Sequence, residues 1–473
     1  MKHIHFIGIC GVGTGAIAVM MQKLGWKVTG SDKGFWPPIS IFLKKANIDF
    51  YPGWHPEKMG NPDVVVVGNF ISLKNPEYLA AKKRKLNIKS YPEILAEHLI
   101  KKNSVVVVGT FGKTTITAFL AHAFKVANKK PGWFVGGLAK NLENGAEIGK
   151  SDWSIAEGDE YNTARWDMRP KFMLYRPTHL VLTAVNWDHL DIYPQEKLYN
   201  QAFENLIKII PENGLIVAAK RKDTGKIDKL LAKSKTKIIR YGKNDLIKNS
   251  DGYGYKIISL NQNGFKFAVY RQNKILGKFE TKLLGEHLVE NLTAGIALAH
   301  YYGIKLKFLQ KAVLSFGGVK RRLEIKSEVK KIKIIDDLAH SPSKARASLN
   351  ALRLHFAKSK IFAIFEPNVG NRTISSKKLY ANAFDTADFV LVPELSKTKT
   401  NEDQERRMEG EELAKTIRQK NKKPKEVLYI KNDDDLIDFL VTQVNANDVI
   451  VFLGSRGWRG MIEQIAKKIK DKK

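Results

Sequence analysis

The sequence predicts an α/β protein whose strands form parallel sheets, and three stretches carry this prediction. Residues 3–9 and residues 104–108 are apolar strands, and each runs into a glycine turn and then into an apolar helix. Beyond residue 333, apolar strands again alternate with helical stretches. Strands that alternate with helices form parallel sheets, and such sheets bind their ligands at the carboxyl ends of the strands.

The length of the chain predicts more than one hydrophobic core. A chain of 473 residues exceeds the usual size of one domain, so we predict three domains, residues 1–102, 103–318 and 319–473. The first opens in a Rossmann-like way, the second contains a phosphate-binding loop, and the third is of the doubly wound type.

The charge is strongly positive. The 80 lysine and arginine residues exceed the 48 acidic residues and give a formal net charge of +32. A polyanion would suit this charge, but no basic stretch is interleaved with aromatic residues as in RNA- or DNA-binding modules, so we expect no nucleic-acid partner. Lysines scattered over solvated faces are the simpler explanation, and a phosphorylated, carboxylated substrate would also benefit from a positive field.

Cysteine content and hydropathy indicate the cellular setting. Cys10 is the single cysteine, which excludes an intrachain disulfide and a cysteine cluster for zinc. The first apolar run is a strand that enters a glycine turn, unlike the uninterrupted core of a secretory signal, and no apolar stretch is long enough to cross a bilayer. We therefore expect a cytoplasmic protein without membrane insertion, in an oligomeric state that the sequence leaves open.

The first glycine turn, residues 8–15, lies inside a strand–turn–helix unit over residues 3–24. A second strand leads to Asp32, which places an acid at the tip of that strand, as in Rossmann units. The turn does not match the Gly-x-Gly-x-x-Gly pattern cleanly, so an NAD site is not favoured, and a tight turn without a ligand is the alternative. A third strand ends just before Asn69.

The second glycine turn is the stronger signal for a nucleotide. Residues 104–115 read Ser-Val-Val-Val-Val-Gly-Thr-Phe-Gly-Lys-Thr-Thr and lead into an apolar helix. Such a turn points backbone N–H groups and a helix N-terminus at one place, which suits a phosphate chain. Lys113 can reach the terminal phosphates, and Thr114 can place its hydroxyl on Mg²⁺. Val107 stands where the general pattern has its first glycine, so a chance Gly-Lys-Thr is the alternative, but the strand–turn–helix context favours the nucleotide.

Two later strands lead to acids and a histidine. Glu157 ends one apolar strand, and His189 follows another. Side chains at such strand ends can complete a Mg²⁺ shell or orient a nucleophile, so both are candidate functional residues. For Asp159, Glu160 and Asp191 the alternative is that each is a solvated loop charge.

The remaining stretches complete the predicted architecture. Residues 253–284 alternate between polar and apolar side chains, which predicts hairpin-like antiparallel strands ahead of a helix over residues 288–302. In the third domain, Asp336, Asp337 and His340 follow the first strand and residues 454–457 end the last, and each segment is either a ligand turn or a helix cap.

Taken together, a series of motifs resembles those of the Mur ligases in kind and in order, and the resemblance covers essentially the whole chain. The motifs are Gly-Ile-Cys-Gly at residues 8–11, Gly-Thr-Phe-Gly-Lys-Thr-Thr at 109–115, Glu-Gly-Asp-Glu-Tyr at 157–161, Asp-His-Leu-Asp at 188–191, Gly-Glu-His at 285–287, Gly-Val-Lys-Arg-Arg-Leu-Glu at 318–324 and Asp-Asp-Leu-Ala-His at 336–340. The resemblance implies a three-domain α/β ligase with a Rossmann-like UDP-sugar domain, a central ATPase domain and a Rossmann-like domain for an amino acid or peptide.

Within the family, the chain is most similar to the members that act in cell-wall recycling and join UDP-N-acetylmuramate to L-alanyl-γ-D-glutamyl-meso-diaminopimelate. The members that add L-alanine share the fold and the nucleotide motifs but typically lack the glycine and tyrosine of the acidic segment, and they remain the alternative. The segments that carry the preference are residues 8–11, 67–69, 75–77, 157–161, 171–172 and 175–177.

The resemblance implies that ATP phosphorylates the muramoyl carboxylate, that the incoming amine attacks the acyl phosphate, and that ADP and phosphate leave. Lys113, Glu157 and His189 would be catalytic, and Thr114, Glu157 and His189 would hold Mg²⁺. The nucleotide would contact the loop residues Gly109, Thr110, Gly112, Lys113, Thr114 and Thr115, together with Asn291 at the adenine, Arg322 and Asp337. The substrate would contact Gly11, Gly13 and Gly15 at the diphosphate, Asp32 near the uridine, Asn69, and His340.

Some positions depart from the family pattern. Phe111 replaces a usual histidine, Ala184 and Asn186 replace an asparagine and a glutamate, Leu288 replaces an asparagine, and Ser341 replaces a second histidine. These departures keep open a UDP-sugar-binding homologue that has lost ATP turnover. A dinucleotide-dependent oxidoreductase is another alternative, but it would leave Lys113 and Glu157 without a role.

Overall fold

The computed structural model describes residues 1–35, 37, 39–189, 192–247, 251–396 and 405–472. These residues form two compact units, one of Met1–Ile258, Lys266–Thr281 and His287–Val319, and the other of Ser259–Phe265, Lys282–Glu286 and Lys320–Lys473. Within the described part of the chain, no helix combines the length and the apolar character that a membrane span requires. The α/β fold class that the sequence predicts is confirmed, whereas the exact domain boundaries stay predictions.

A parallel five-stranded sheet of the described residues opens the first unit, with the strand order β3-β2-β1-β4-β5. The first strand ends earlier than the sequence predicts, because Gly8 takes a φ of 87° and turns the chain after Ile7. The elements are β1 His3–Ile7, α1 Val12–Lys23, β2 Lys27–Asp32, α2 Ile39–Lys45, β3 Asp49–Pro52, β4 Val64–Val67, α3 Pro76–Lys83, β5 Ile88–Ser90 and α4 Tyr91–His98.

A larger sheet follows, and all of it except the tip of the β15–β16 hairpin lies in the same unit. Its ten described strands run in the order β17-β16-β15-β14-β13-β12-β6-β9-β7-β8, and β10 pairs with β11 in a separate antiparallel hairpin. The elements are β6 Asn103–Val108, α5 Lys113–Val126, β7 Gly132–Phe134, β8 Ala146–Glu147, β9 Trp153–Glu157, β10 Asn162–Ala164, β11 Asp167–Pro170, β12 His179–Leu182, α6 Glu196–Lys208, β13 Leu215–Lys220, α7 Gly225–Leu231, β14 Lys237–Lys243, α8 Asn244–Ile247, β15 Gly252–Asn261, β16 Gly264–Arg271, β17 Lys274–Thr281, α9 Glu286–Tyr301 and α10 Leu306–Ser315.

This sheet places Lys113, Glu157 and His189 at the same end of its strands. Strand β6 lies between β9 and β12 and is parallel to both, so the loop after β6 and the segments after β9 and β12 leave the sheet at the same end. The four valines of β6 are fully buried, as expected for a strand covered on both faces. Two-residue connections join β15 to β16 and β16 to β17, and such short connections require the antiparallel pairing that the sequence predicts.

The second unit contains a six-stranded sheet in its described residues, in the order β18-β19-β23-β20-β21-β22. Strand β18 is antiparallel to β19 and the others are parallel, with buried apolar clusters on both faces. The elements are β18 Glu324–Val329, β19 Ile332–Asp337, α11 Pro342–His355, β20 Ile361–Glu366, β21 Phe389–Val392, α12 Gly410–Lys420, β22 Glu426–Tyr429, α13 Asp433–Gln443, β23 Val449–Gly454 and α14 Met461–Asp471. The predicted doubly wound pattern is thus present.

We expect Phe119→Ala to lower the thermal stability of the first unit strongly. Phe119 is fully buried on α5, its ring lies 5.5 Å from that of Phe316, and it packs against Gly295. Truncating a buried phenylalanine typically costs about 3–5 kcal/mol, because it removes apolar contact and leaves a cavity. Differential scanning calorimetry should show a clearly lower unfolding temperature than for the control Leu314→Ala, whose side chain is exposed. Equal unfolding temperatures for the two variants would contradict this packing.

Candidate active site

The loop after β6 has a backbone shape that only glycine allows at two positions. Gly109 has a φ of 119°, and a Cβ atom there would lie 2.4 Å from the Thr183 hydroxyl oxygen. Gly112 has a φ of 82° and caps the N-terminus of α5, and a Cβ atom there would lie 2.6 Å from the side-chain amide oxygen of Asn291. The loop therefore presents the amides of a helix N-terminus, as phosphate binding requires.

Backbone and hydroxyl groups tie the loop to the segment after β12. The Thr110 amide donates to the Ala184 carbonyl at 3.0 Å, and the Thr110 hydroxyl donates to the Asn186 carbonyl at 2.9 Å. The Thr183 hydroxyl donates to the Phe111 carbonyl at 2.5 Å. Because Ala184 and Asn186 meet the loop through backbone atoms, their departures from the family pattern leave these contacts intact.

Lys113 is held by a buried ion pair. Its Nζ donates to the Gly109 carbonyl at 2.8 Å and to the Glu160 carboxylate at 2.9 and 3.1 Å, and Glu160 is only 1% exposed. Burial lowers the pKa of Lys113, but the Glu160 carboxylate more than offsets this, and the pKa is raised overall. The amine therefore stays charged, which suits it to bind phosphate. Glu160 is not the solvated loop charge that the sequence left as an alternative.

Glu157 lies beside Thr114. The Thr114 hydroxyl donates to one carboxylate oxygen of Glu157 at 2.8 Å, and the Gly136 amide donates to the other at 2.7 Å. Burial raises the pKa of Glu157, and the nearby Lys113 charge partly offsets this rise. A hydroxyl and a carboxylate oxygen at this spacing are hard oxygen ligands of the kind that Mg²⁺ prefers, so the residues present fit the predicted ion.

His189 pairs with Glu160. Its Nε2 lies 3.5 Å from a Glu160 carboxylate oxygen, and Asp159, Glu160 and His189 each offer a ligand atom within 4.8 Å of the others. The hydrogen bond to Glu160 raises the pKa of His189, although burial opposes it. His189 also has a φ of 56°, which is uncommon for a residue other than glycine. The sequence alone does not connect Glu160 with His189, and Leu190 and Asp191 of the same motif lie outside the described residues.

The first glycine turn is closed by Asp32. One oxygen of its carboxylate accepts from the Cys10 amide at 2.9 Å and the other from the Lys33 amide at 2.7 Å. The three glycines predicted to meet a diphosphate differ in their surroundings. A Cβ at Gly11 would lie 2.7 Å from the Thr14 hydroxyl, one at Gly15 would lie 2.5 Å from Ile39, and one at Gly13 would make ordinary contact with Phe134 and Tyr91. Gly15 is thus required for helix packing.

Asn69 has an unsatisfied polar atom. Its side-chain amide nitrogen is buried and has no hydrogen-bond acceptor among the described residues. Because buried donors in folded proteins are nearly always paired, such an atom is a candidate contact for a ligand. The turn that contains Asn69 packs on the first glycine turn, since a Cβ at Gly8 would lie 2.9 Å from Ile71.

Three predicted site residues belong to the second unit. Arg322 is exposed, and the side chain of His340 meets the Leu338 carbonyl at 2.8 Å. The Asp337 carboxylate accepts from the Leu323 amide at 2.7 Å and the Ser348 hydroxyl at 3.1 Å, so it fixes the segment that carries Arg322. The site in the first unit brings together Lys113, Thr114, Glu157, His189, Thr110, Thr115 and Asn291.

A charged pocket in the second unit includes part of segment 454–457, which the sequence left open as a ligand turn, but its other members were not foreseen from the sequence. It lies at the carboxyl ends of β20, β21 and β23, and its lining includes Glu366, Arg372, Ser396, Ser455 and Arg456. The carboxylate of Glu366 accepts from the amide and hydroxyl of Ser396, at 3.0 and 2.5 Å. Ligands of parallel sheets bind in such crevices.

Arg372 is the unusual member of this pocket. It is 5% exposed, its Nη1 donates to the Ser396 carbonyl at 3.0 Å, and its Nε has no hydrogen-bond partner among the described residues. Burial lowers the pKa of this guanidinium, against the opposing effect of nearby acids such as Glu409. A buried cation without a carboxylate at contact distance in the described chain gains from an anionic ligand.

A glycine loop with a lysine and a hydroxyl, beside buried carboxylates at the ends of parallel strands, is the arrangement of a nucleoside triphosphate-dependent α/β enzyme. Three family models match the chain: the catalytic domain of the Mur ligase family at residues 3–103, the Mur ligase middle domain at 107–299, and the glutamate ligase domain of Mur ligases at 321–456. The chain belongs to the Mur ligase family and is an ADP-forming, ATP-dependent amide ligase of that class.

Individual relatives fall into two kinds. The UDP-N-acetylmuramate–L-alanyl-γ-D-glutamyl-meso-2,6-diaminoheptanedioate ligase of Haemophilus influenzae is 31% identical over 99% of this chain and 100% of its own. The UDP-N-acetylmuramate–L-alanine ligase of Myxococcus xanthus is 28% identical over 96% of this chain and 92% of its own. The crystal structure of a murein peptide ligase from Psychrobacter arcticus matches with a TM-score of 0.69 and 26% identity, over 100% of this chain and 99% of that one.

We expect Glu160→Gln to lower the pKa of His189. The hydrogen bond to the Glu160 carboxylate is the main cause of the raised pKa, so the imidazolium is stabilised at low pH and this gain is lost as the pH rises through the raised value. NMR titration of the His189 ring protons in the metal-free protein measures the shift. Glu157→Gln is the matched control and should leave the His189 titration nearly unchanged. A shift caused by the control alone would show that His189 pairs with Glu157 instead.

Proposed function

We propose that the protein joins the lactoyl carboxylate of UDP-N-acetylmuramate to the α-amine of L-alanyl-γ-D-glutamyl-meso-diaminopimelate, with ATP cleaved to ADP and phosphate. ATP binds at the loop between β6 and α5, where Lys113 neutralises its terminal phosphates. The lactoyl carboxylate attacks the γ-phosphorus to give an acyl phosphate, and ADP leaves. The peptide amine then attacks the acyl carbon, and phosphate leaves. Phosphoryl transfer of this kind depends on positioned cations rather than on covalent groups of the protein.

Thr114, Glu157 and His189 would hold Mg²⁺, with Glu160 and Asp159 beside His189. The ion supplies charge neutralisation at the transferred phosphoryl group. Lys113 contributes a permanent positive charge, because its raised pKa keeps the amine protonated at neutral pH. The glycine turn at Gly8 and the unpaired amide of Asn69 would contact the UDP-sugar.

The pocket around Arg372 and Glu366 carries the choice of the tripeptide over L-alanine. The D-centre of meso-diaminopimelate keeps an ammonium and a carboxylate that take no part in the reaction. A buried guanidinium and a buried carboxylate in one pocket offer one partner for each of these groups. L-alanine cannot offer both groups, since its single ammonium is the precursor of the nucleophile and only its carboxylate takes no part in the reaction. The Haemophilus influenzae relative, whose name gives this tripeptide as a substrate, supports the same assignment.

The proposal is tested by phosphate release from ATP in the presence of UDP-N-acetylmuramate, with the tripeptide or L-alanine as the amine. We expect turnover with the tripeptide and little with L-alanine. Lys113→Ala should lower the rate by roughly 10³-fold, because it removes the charge at the transferred phosphoryl group. Turnover with L-alanine alone would assign the biosynthetic reaction. If neither amine caused phosphate release although the UDP-sugar bound measurably, the result would contradict a ligase of this kind. An unchanged rate in Lys113→Ala would contradict it as well.

We expect Glu366→Gln and Arg372→Lys to raise KM for the tripeptide by about tenfold or more, since the first removes the charge of one hydrogen-bond acceptor and the second removes the bidentate geometry of the guanidinium. KM for ATP and for UDP-N-acetylmuramate should remain unchanged. Steady-state kinetics with the tripeptide and with the dipeptide L-alanyl-γ-D-glutamate measure the effect. The dipeptide lacks the diaminopimelate end, so its KM should not respond to either substitution.

The control for this pocket is Arg406→Gln, since Arg406 is a mostly exposed arginine of the same unit that pairs with Glu412. It should leave all KM values near those of the unmodified protein. If the pocket variants raised KM for the dipeptide and for the tripeptide equally, the pocket would not recognise the diaminopimelate end.

A further inference from the structure

Three rings form a continuous row in the first unit, which we call the aromatic ladder: Phe70, Tyr161 and His189. The ring centroids of Phe70 and Tyr161 lie 5.9 Å apart, and those of Tyr161 and His189 lie 5.3 Å apart. Neither the reaction nor the nucleotide contacts described above use Phe70 or the ring of Tyr161.

One end of the ladder adjoins the first glycine turn. Phe70 follows Asn69 in the chain. Phe70 is 79% exposed, which is unusual for a phenylalanine. The turn of residues 68–71 is fixed, because the Gly68 amide donates to the Ile7 carbonyl at 2.8 Å and the Ile71 amide donates to the Gly68 carbonyl at 3.0 Å. The ring of Phe70 is therefore held in solvent next to the unpaired amide nitrogen of Asn69.

The other end adjoins the phosphate loop. His189 pairs with Glu160, and the same carboxylate binds Lys113. Tyr161 connects the two ends, and it is positioned by Lys171, whose amide donates to the Tyr161 carbonyl at 3.1 Å and whose Nζ lies 5.2 Å from the ring centroid.

The hairpin β10–β11, which follows Tyr161, contacts a helix of the five-stranded sheet. Trp166, at the turn of this hairpin, stacks on Tyr78 of α3 at 5.7 Å with an interplanar angle of 14°. The contact joins the segment after Tyr161 to the helix that follows the Phe70 turn. This contact thus helps to fix the spacing between Phe70 and Tyr161, two of the three rings of the ladder.

We propose that the aromatic ladder is the platform for the sugar ring of the nucleotide-sugar substrate, an inference that rests on the function proposed above. The nucleotide diphosphate would lie at the glycine turn and the carboxylate that reacts would lie at Lys113, so the sugar between them must pass along the ladder. The apolar C–H face of a pyranose ring covers an aromatic ring well, and exposed aromatic groups at a site commonly mark such a contact. The Asn69 amide nitrogen beside Phe70 supplies a donor for an oxygen of the sugar.

The test compares the dissociation constants of UDP-N-acetylmuramate and of UDP, measured by isothermal titration calorimetry on the full chain. Phe70→Ala and Tyr161→Leu should weaken UDP-N-acetylmuramate about tenfold, the usual scale of one aromatic contact, and leave UDP within about twofold. Tyr161→Phe keeps the ring and should restore tight binding. Leu73→Ala is the matched control, because Leu73 is an exposed apolar residue close to Phe70 in the chain, and it should leave both constants unchanged.

Two outcomes would overturn the inference. An equal weakening of UDP and UDP-N-acetylmuramate would assign the ladder to the nucleotide or to the folding of the turn, and unchanged binding of both would remove it from the site. A rise in KM for ATP or for the tripeptide without weaker UDP-sugar binding would also contradict it. Failure of the proposed function would give a different result. The ladder variants would still bind UDP-N-acetylmuramate more weakly than the unmodified protein, but the unmodified protein would release no phosphate with the tripeptide.

Discussion

The ion pair between Lys113 and Glu160 is the constraint on which the site depends. The Glu160 carboxylate is buried and the Lys113 side chain is only 14% exposed, so each must be compensated by the other, and removing one partner of a buried pair typically costs about 3–5 kcal/mol. Glu160 has further partners: His189 at 3.5 Å and the Tyr199 hydroxyl at 3.4 Å meet its carboxylate, and the Tyr193 hydroxyl donates to its carbonyl at 2.6 Å. One carboxylate therefore joins the phosphate loop after β6 to the segments after β9 and β12. A triphosphate bound at Lys113 would share this lysine with Glu160, and in the proposed site its binding would be coupled to the position of His189.

The Lys113 site and the Arg372 pocket are in opposite electrostatic states. Lys113 is paired with an acid, so its pKa is raised despite burial. Arg372 is buried without an ion-pair partner in the described residues, so burial lowers its pKa. The first state is stable without a ligand and holds the loop in shape. The second state is costly and is relieved by an anion, which is the physical reason to regard the pocket of the second unit as a binding site rather than as part of the scaffold.

The fold and the phosphate loop could be predicted from the sequence because their signals are local. The valines before Gly109 and the apolar helix after Thr115 define the strand, the turn and the helix without any distant contact. The roles of Glu160 and Arg372 could not be predicted in the same way. Glu160 looks like a loop charge until the strand order β9-β6-β12 brings it beside Lys113, and nothing near Arg372 in the sequence shows that its guanidinium is buried beside the end of β20. The motif Glu-Gly-Asp-Glu-Tyr was the one available signal, because it marks Glu160 and Tyr161 by resemblance.

The departures from the family pattern affect the site less than the sequence suggested. Ala184 and Asn186 hold the loop through backbone atoms that any residue supplies, and Leu288 is buried in α9. Phe111 is exposed, and its carbonyl rather than its side chain accepts the Thr183 hydroxyl. Lys113, Thr114, Glu157 and His189, by contrast, would act through their side chains in the proposed reaction, and all four are present. At Phe111, Ala184 and Asn186 the contacts of the loop thus use backbone atoms, and this favours an active ligase over a binder that has lost its activity.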